Sequence, residues 1–178
     1  MNLIHPTRWS LLLLLVAASR AAFGAPAVSE KAAKPDKPRV VIGRIEFIVV
    51  RDVGLRLKAR IDTGAGVSSM HAKILEIKKS PDGERVRFQI TDAEGTTKTL
   101  ERPIIGWSKI KVMGTNNKNR RPIVEMRLCV GGKKLKGRVN LNDRSNFLYP
   151  MLIGRNLLNT GKFLVDPGQK YLAEPDCD

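Results

Sequence analysis

The tripeptide Asp62-Thr63-Gly64 is the part of the chain best suited to catalysis. Two carboxylates held about 3 Å apart cannot both ionise, so they share a proton, and one activates water while the other protonates a peptide carbonyl. In this tripeptide the Gly64 backbone N–H can approach the Asp62 carboxylate, and the Thr63 hydroxyl can point away and brace the loop. The alternative role of Asp62 is structural, because an Asp that follows a strand commonly bonds its own backbone in a turn.

The sequence lacks the residues that other hydrolytic mechanisms require. A catalytic zinc ion takes three protein ligands, commonly including His, yet His71 is the one His beyond the first ten residues and no His-Glu-x-x-His pattern occurs. We expect His71 to be a packed or bracing imidazole. No Gly-x-Ser-x-Gly motif occurs, and Gly64-Ala65-Gly66 lacks the third Gly of a dinucleotide-binding turn. The sequence predicts neither a metal ion nor a cofactor.

A strand must deliver Asp62 to any such site. Apolar and cationic residues alternate strictly over Leu55–Ile61, which is the period of a half-buried strand with a charged outer face. One short helix is predicted at residues 154–161, with Asn156 as its cap and Gly161 at its end. Further short strands, separated by turn residues, are predicted at residues 40–50 with an interruption at Gly43, 86–90, 109–113, 123–130, 135–141 and 162–165. Short strands with little helix favour a small β-barrel or sandwich.

The N-terminal residues have the outline of a secretory signal peptide. A polar start with Arg8 precedes an apolar run at residues 11–18, and small residues follow. The run is shorter than the roughly 20 residues that span a membrane, so we expect cleavage, after Gly24 as first choice and after Ala27 as second. No stable membrane insertion should remain after cleavage. An uncleaved anchor is the alternative, because Arg20 lies between the apolar run and the cleavage site.

The chain therefore divides into three predicted segments. Residues 1–24 form the signal peptide, residues 25–38 a flexible linker, and residues 39–178 one folded domain. The linker is rich in Ala, Pro, Lys and Ser without periodicity, and a chain of this length supports one domain with a real core. The expected location is the periplasm or the extracellular space.

Charge and cysteine content bear on partners and compartment. The formal net charge is +15, which favours acidic peptides, anionic glycans or phospholipid head groups through long-range attraction. Nucleic acid is not predicted, because aromatic residues are few and no nucleic-acid-binding motif occurs. The alternative is a merely soluble basic surface. Cys129 and Cys177 could pair in an oxidising compartment, or Cys129 could be buried beside a free Cys177 thiol.

Two motifs together resemble those of retropepsin-like aspartic proteases. The first is the alternating strand that ends in Asp-Thr-Gly-Ala at residues 62–65, and the second is Ile-Gly-Arg-Asn-Leu-Leu at residues 153–158. In that family the second motif crosses behind the active-site loop and leads into the lone helix. Residues 61–72, 139–150 and 163–167 are similar to the bacterial family labelled ATP-dependent zinc protease. Its members are often associated with enzymes that add glutamate to ribosomal proteins.

The resemblance implies a fold and a set of site residues. The fold is all-β, a small closed retropepsin-like β-barrel with one short helix near the C-terminus. Asp62 would be catalytic, and Arg144 and Arg155 would contact substrate or the dimer partner. The active-site loop would be supported by Thr63, Gly64, Ala65, Ile153 and Gly154. The family commonly has Arg-Thr after Asp-Thr-Gly-Ala, whereas this chain has Gly66 and Val67, so any substrate role of that Arg is absent here.

With one Asp-Thr-Gly per domain, a dyad requires two chains related by a two-fold axis. The resemblance thus implies a homodimeric aspartic endopeptidase acting on a peptide or protein substrate, with acidic substrates favoured by the charge. A monomer that uses a second carboxylate such as Asp143 is the alternative within the enzyme class. The rival class is a catalytically inactive basic module that binds an acidic peptide or an anionic cell-envelope polymer.

Overall fold

The computed structural model describes residues 39–111 and 118–177, so the signal peptide and linker predicted for residues 1–38 lie outside the described part. The alternating and apolar segments form β-strands, as their patterns predict, but residues 112–113 of the strand predicted at 109–113 lie outside the described part. In chain order the elements are β1 Val40–Gly43, β2 Ile45–Val50, β3 Leu55–Ile61, β4 Ser68–His71, β5 Lys73–Ser80, β6 Gly83–Thr91, β7 Thr97–Pro103, β8 Gly106–Lys111, β9 Lys118–Val130, β10 Lys133–Asn142, β11 Met151–Ile153, α1 Arg155–Gly161 and β12 Phe163–Asp166.

Six strands close into a barrel in the order β10-β4-β11-β3-β2-β9, because β9 also pairs antiparallel with β10. Strand β8 extends the sheet beyond β9. The alternation in β3 places Leu57, Ala59 and Ile61 inside the barrel and leaves their cationic neighbours exposed, since successive side chains of a strand point to opposite faces. The predicted fold, a small closed all-β barrel with one short helix, is confirmed.

Strand β11 connects the two predicted motifs. It lies between β3 and β4, parallel to β3 and antiparallel to β4, and it pairs Ile153 with Ile61. The ladder continues by one residue, because the Asp62 N–H donates to the Ile153 carbonyl at 2.9 Å. The end of β3 and the start of α1 therefore meet at the same place in the barrel.

Two smaller sheets accompany the barrel. Strands β5, β6 and β7 form an antiparallel sheet in that order, and β6 buries Val86, Phe88 and Ile90 through its alternation. Strand β1 pairs in parallel with β12, with Val40 opposite Phe163. The first and last described strands are thus neighbours.

The sequence patterns did not reveal strands β4, β5, β7 and β11. All eight residues of β5 are exposed, so no alternation marks it. Strand β4 reads Ser-Ser-Met-His, and β11 has three residues. These strands form because neighbouring strands pair with them, since β-propensity depends strongly on context.

The helix ends at Gly161 as predicted, and it differs from its prediction at its start. It begins after Gly154, and this cap makes no side-chain hydrogen bond. The predicted capping role of Asn156 is wrong, because Asn156 lies within the first turn. Gly161 is the last helical residue, and Lys162 takes the left-handed conformation with φ 51°. Within residues 39–111 and 118–177, no helix is long and apolar enough to cross a membrane.

The C-terminal tail, residues 167–177, is fastened in two ways. Cys129 on β9 forms a disulfide with Cys177, with the two Cα atoms 5.9 Å apart. The fully buried Glu46 carboxylate accepts the Leu172 backbone N–H at 3.0 Å. Because a buried carboxylate without hydrogen bonds is costly, the tail and Glu46 stabilise each other.

Candidate active site

The Asp62 carboxylate is fixed through one of its two oxygens. Its Oδ1 accepts the backbone N–H of Gly64 at 2.9 Å and that of Ala65 at 3.0 Å. Its Oδ2 makes no hydrogen bond to any residue that the structure describes, and the residue is half-buried. The loop therefore orients the carboxylate and leaves Oδ2 accessible to water or to a second carboxyl group.

The supporting residues of the loop act mainly through their backbone. A Cβ atom on residue 64 would lie 3.2 Å from Asp62 Oδ1, so Gly64 allows the close approach of its N–H. Thr63 is exposed and contributes its carbonyl oxygen, which accepts a hydrogen bond from Arg155 at 3.0 Å. This differs from the expectation that the Thr63 hydroxyl braces the loop.

Arg155 is bound to the active-site loop. Its backbone N–H donates to the Ala65 carbonyl at 2.8 Å, and its Nη1 donates to the Gly64 carbonyl at 2.7 Å as well as to that of Thr63. The planar guanidinium suits such paired acceptors. Arg155 therefore braces the loop through Nη1, and its expected contact with substrate or the dimer partner stays a prediction.

A buried polar network joins α1 to the strand that follows the loop. Ser68, which is fully buried, accepts the Gly154 N–H on its Oγ at 2.9 Å and donates from Oγ to Asn156 Oδ1 at 2.9 Å. The Ser68 N–H donates to the same Asn156 oxygen at 2.9 Å, and Asn156 Nδ2 donates to the Arg138 carbonyl at 2.7 Å. Asn156 is thus the link between α1, β4 and β10. No local sequence signal indicates a contact between residues 88 positions apart.

Gly154 is the point of closest approach behind the loop. A Cβ atom there would lie 2.9 Å from the Ala65 carbonyl oxygen and 3.2 Å from the Ser68 backbone nitrogen. Neither backbone atom can move without shifting the loop that carries Asp62. This close packing explains the Gly in the second motif.

We expect Gly154→Ala to lower the rate of peptide hydrolysis about 10- to 100-fold, since displacing catalytic groups by about 1 Å can cost 100-fold. Gly66→Ala is the matched control in the same loop, because a Cβ there would meet only Arg155 Nη2 at 3.7 Å, an ordinary contact. Initial rates and thermal unfolding of both variants would be measured. Equal rates for the two variants would contradict this role of Gly154.

Arg144 lies in the electrostatic environment of Asp62, and Arg121 lies in that of Arg144. Arg144 is 7% exposed, its Nε donates to the Tyr149 carbonyl at 3.2 Å, and its guanidinium lies 4.4 Å from the Phe147 ring centre. Burial lowers the Arg144 pKa, the charge of Arg121 lowers it further, and the Asp62 carboxylate opposes both effects. Arg144 therefore interacts with both Arg121 and Asp62, and an additional anion would relieve the repulsion between the two arginines.

Arg121 is the member of this group that sequence patterns missed. Its Nε is buried and has no hydrogen-bond partner among the described residues, and burial lowers its pKa. Buried donors are normally satisfied. Arg121 therefore presents an unused donor near Arg144. In the sequence it belongs to a polar stretch before the predicted strand at 123–130, and nothing there indicates its position beside Arg144.

His71 and Asp143 flank Arg144. The Arg144 backbone N–H donates to His71 Nδ1 at 2.8 Å. Asp143 Oδ1 accepts the Ser145 N–H at 2.9 Å and lies 3.7 Å from His71 Nδ1. The hydrogen bonds from Ser145 and the charge of His71 lower the Asp143 pKa, although slight burial opposes them. Asp143 is thus engaged by Ser145 and lies beside His71.

Three comparisons relate this chain to known proteins. A family model described as retropepsin-like aspartic endopeptidase RimB matches residues 41–176. Proteins named probable alpha-L-glutamate ligase from Shewanella pealeana and Shewanella halifaxensis are each 27% identical over 137 residues, which is 75% of this chain and 30% of theirs. The chain thus spans about 30% of the length of these curated relatives. A crystal structure of a Legionella pneumophila protein of unknown function is 28% identical, with a TM-score of 0.67 over 77% of this chain and all of that one.

Proposed function

Because the chain belongs to the RimB-like family of retropepsin-like aspartic endopeptidases, we propose that it hydrolyses peptide bonds with Asp62 as general acid or base. The observation that supports this most is the asymmetry of the Asp62 carboxylate, with Oδ1 held by two backbone N–H groups and Oδ2 left open. A water molecule on the open side would be activated as it attacks the peptide carbonyl.

The second carboxylate is proposed to come from Asp62 of a second copy of this chain. A dyad must keep one shared proton, so one member must take up a proton more readily than an isolated Asp. Asp143 is 79% exposed and is engaged by Ser145 and His71, and none of its contacts among the described residues is with Asp62. The homodimer is therefore the favoured arrangement.

The proposed substrate is a peptide or protein with acidic side chains. Arg144 places a positive charge near Asp62, and Arg121 adds a second one near Arg144. A carboxylate bound there would gain charge-assisted hydrogen bonds. The name of the ligase relatives contains glutamate, which agrees with an acidic substrate. We assign no ligase chemistry, since the chain covers 30% of those proteins.

The proposed location is the periplasm or the extracellular space, after removal of residues 1–24. The disulfide between Cys129 and Cys177 supports an oxidising compartment, because cytosolic thiols are usually kept reduced. Mass spectrometry of the exported protein would identify the cleaved terminus, expected at Ala25.

The activity would be tested by digesting a peptide library with the purified protein between about pH 3 and 7, the range in which a shared-proton dyad works. We expect cleavage sites flanked by Asp or Glu. Absence of cleavage throughout this range, together with binding of acidic polymers that weakens steeply with salt, would instead support a non-enzymatic binding module.

Replacing Arg144 by Met should reduce kcat/KM for acidic peptides about 10- to 100-fold, because a hydrogen bond to a charged group is worth about 1.5–3 kcal/mol. Hydrolysis of neutral peptides should change far less. The ratio of the two rates in one preparation is the measurement, since it does not depend on the fraction folded. Arg87→Met, at an exposed cation on β6, is the control and should leave the ratio unchanged. Equal losses for both substrate classes would contradict the assignment.

A further inference from the structure

Strand β5 is an open edge of the three-stranded sheet. Within the described residues it pairs with β6 alone, and every one of its eight residues is exposed. Ile74 and Ile77 are each 40% exposed, and Leu75 is 38% exposed. A long edge with exposed apolar side chains is a template for another strand, because its outer backbone groups are unpaired.

The register shows which face of this edge is apolar. Ile74 lies opposite Phe88 and Ile77 lies opposite Val86, and both partners are fully buried. Residues directly opposite each other in a ladder point to the same face. The buried face of the sheet therefore continues to β5 and ends there uncovered, so a fourth strand would extend this apolar face.

The opposite face of β5 carries two lysines and one acidic residue, Glu76, which lies opposite Arg87. Lys73 pairs with Gln89 and Lys78 with Arg85, on the face away from Phe88. Lys73 makes no ion pair among the described residues, and Lys78 has only the exposed Glu76 at 3.4 Å. Such exposed pairs are weak, so this face can still attract a negatively charged strand.

The other edge of the same sheet is built differently. In β7 the one large aliphatic residue, Leu100, is buried, and the strand ends in Pro103, which has no N–H to donate. The apolar exposure is thus a property of β5 and not of the sheet as a whole.

Self-association through β5 is disfavoured by its own features. Two copies would bring like-charged lysines together, which destabilises cross-strand pairs. An acidic strand would instead be attracted to the same lysines.

Strand β5 also begins beside the candidate active site. A cavity of about 430 Å³ is lined by His71, Ala72, Lys73, Ile74 and Asp143. His71 and Asp143 flank Arg144, as described above. An extended chain on β5 could therefore continue towards Arg144 through this cavity.

We propose that β5 is a docking edge that binds an extended, acidic segment of a partner polypeptide as a fourth strand. The segment alternates acidic and apolar residues, with acidic side chains facing Lys73 and Lys78 and apolar ones covering Ile74 and Ile77. Backbone hydrogen bonds supply affinity, and the alternating side chains supply specificity. This binding needs no hydrolysis and stands independently of the role of Asp62.

The test uses the full chain carrying Asp62→Asn, so that the probe is not cleaved. The probe is an end-capped peptide in which glutamate and valine alternate through four repeats, and its control is an end-capped peptide with the four glutamates first and the four valines after them. We expect the alternating peptide to bind at least about tenfold more tightly, and we expect slower hydrogen exchange of the β5 amides when it is bound. Methylation of every second backbone nitrogen removes the N–H donors along one edge of the extended probe. There are two such sets of alternate nitrogens, and methylation of one set, but not of the other, should abolish binding.

A matched pair of protein variants locates the site. Lys78→Glu on β5 should weaken binding of the alternating peptide about tenfold, whereas Lys98→Glu on β7 should leave it unchanged. Equal binding of the two peptides, equal effects of the two variants, or unaltered β5 exchange would overturn the proposal. Concentration-dependent dimerisation that protects β5 would also overturn it, because a second copy would then be the occupant.

Discussion

Replacement of Asp62 by Asn is expected to lower kcat/KM for peptide hydrolysis about 10²- to 10⁴-fold, the usual contribution of a positioned acid or base. Asn preserves the shape of Asp, and its oxygen can still accept the N–H groups of Gly64 and Ala65. It cannot take up or release a proton at neutral pH. The folded structure should therefore survive while the chemistry is lost, and the rates should be measured alongside thermal unfolding.

Asp143→Asn is the control for this prediction. Asp143 is 79% exposed and is engaged by Ser145 and His71, so its replacement should change the rate less than about tenfold, as expected for a group outside proton transfer. If Asp143→Asn removed activity and Asp62→Asn did not, the catalytic assignment would be wrong. Loss of activity in both variants, with a monomeric protein, would support a dyad within one chain.

A mixing experiment tests the second chain directly. Wild-type protein and Asp62→Asn protein are refolded together, with the variant in ninefold excess. If the dyad spans two chains, a wild-type chain meets another one about one time in ten, so the activity per wild-type chain falls about tenfold. Unchanged activity per wild-type chain would exclude the two-chain dyad. Co-sedimentation of the two proteins would verify that mixed dimers formed.

Loss of the disulfide should produce the largest change in stability. Cys177→Ala is expected to lower the free energy of unfolding by about 4 kcal/mol, because an unfolded chain no longer closed into a loop gains conformational entropy. The loop spans 48 residues. Urea unfolding of the oxidised wild type and of Cys177→Ala would measure the difference.

A reducing agent provides the control for the disulfide. It should destabilise the wild type by a similar amount and leave Cys177→Ala unchanged, because the variant has no bond to reduce. A wild type that is equally stable with and without reductant would contradict the stabilising role. The contacts of Glu46 with the tail, including the hydrogen bond from Leu172, should persist in the folded variant.

Alternation made much of the fold predictable. Strand β3 and strand β6 each bury every second residue, which a single sequence displays directly. Strand β5 could not be found in this way, because both of its faces are exposed and its pairing with β6 decides its conformation. The three residues of β11 are likewise a strand only because β3 and β4 lie on either side of it.

The part of the candidate site that depends on residues close together in the sequence was predictable. The hydrogen bond from Gly64 to Asp62 spans two residues, so the tripeptide itself implies it. The link between Ser68 and Asn156 and the nearness of Arg121 to Arg144 depend on how distant strands meet in the barrel. The local sequence favoured Asn156 as a helix cap. In the structure, Asn156 instead accepts hydrogen bonds from the buried Ser68, which needs a hydrogen-bond partner.

Closure of the barrel within one chain separates folding from assembly. Strands β9 and β10 complete the ring without help from a partner, so each chain can hold its fold as a monomer. In the proposed dimer, the second chain then supplies only chemistry, and mass action governs how much enzyme is active. Below the dimer dissociation constant, the amount of dimer grows with the square of the chain concentration. Dilution alone would switch the peptidase off, and crowding many copies into a small compartment would switch it on.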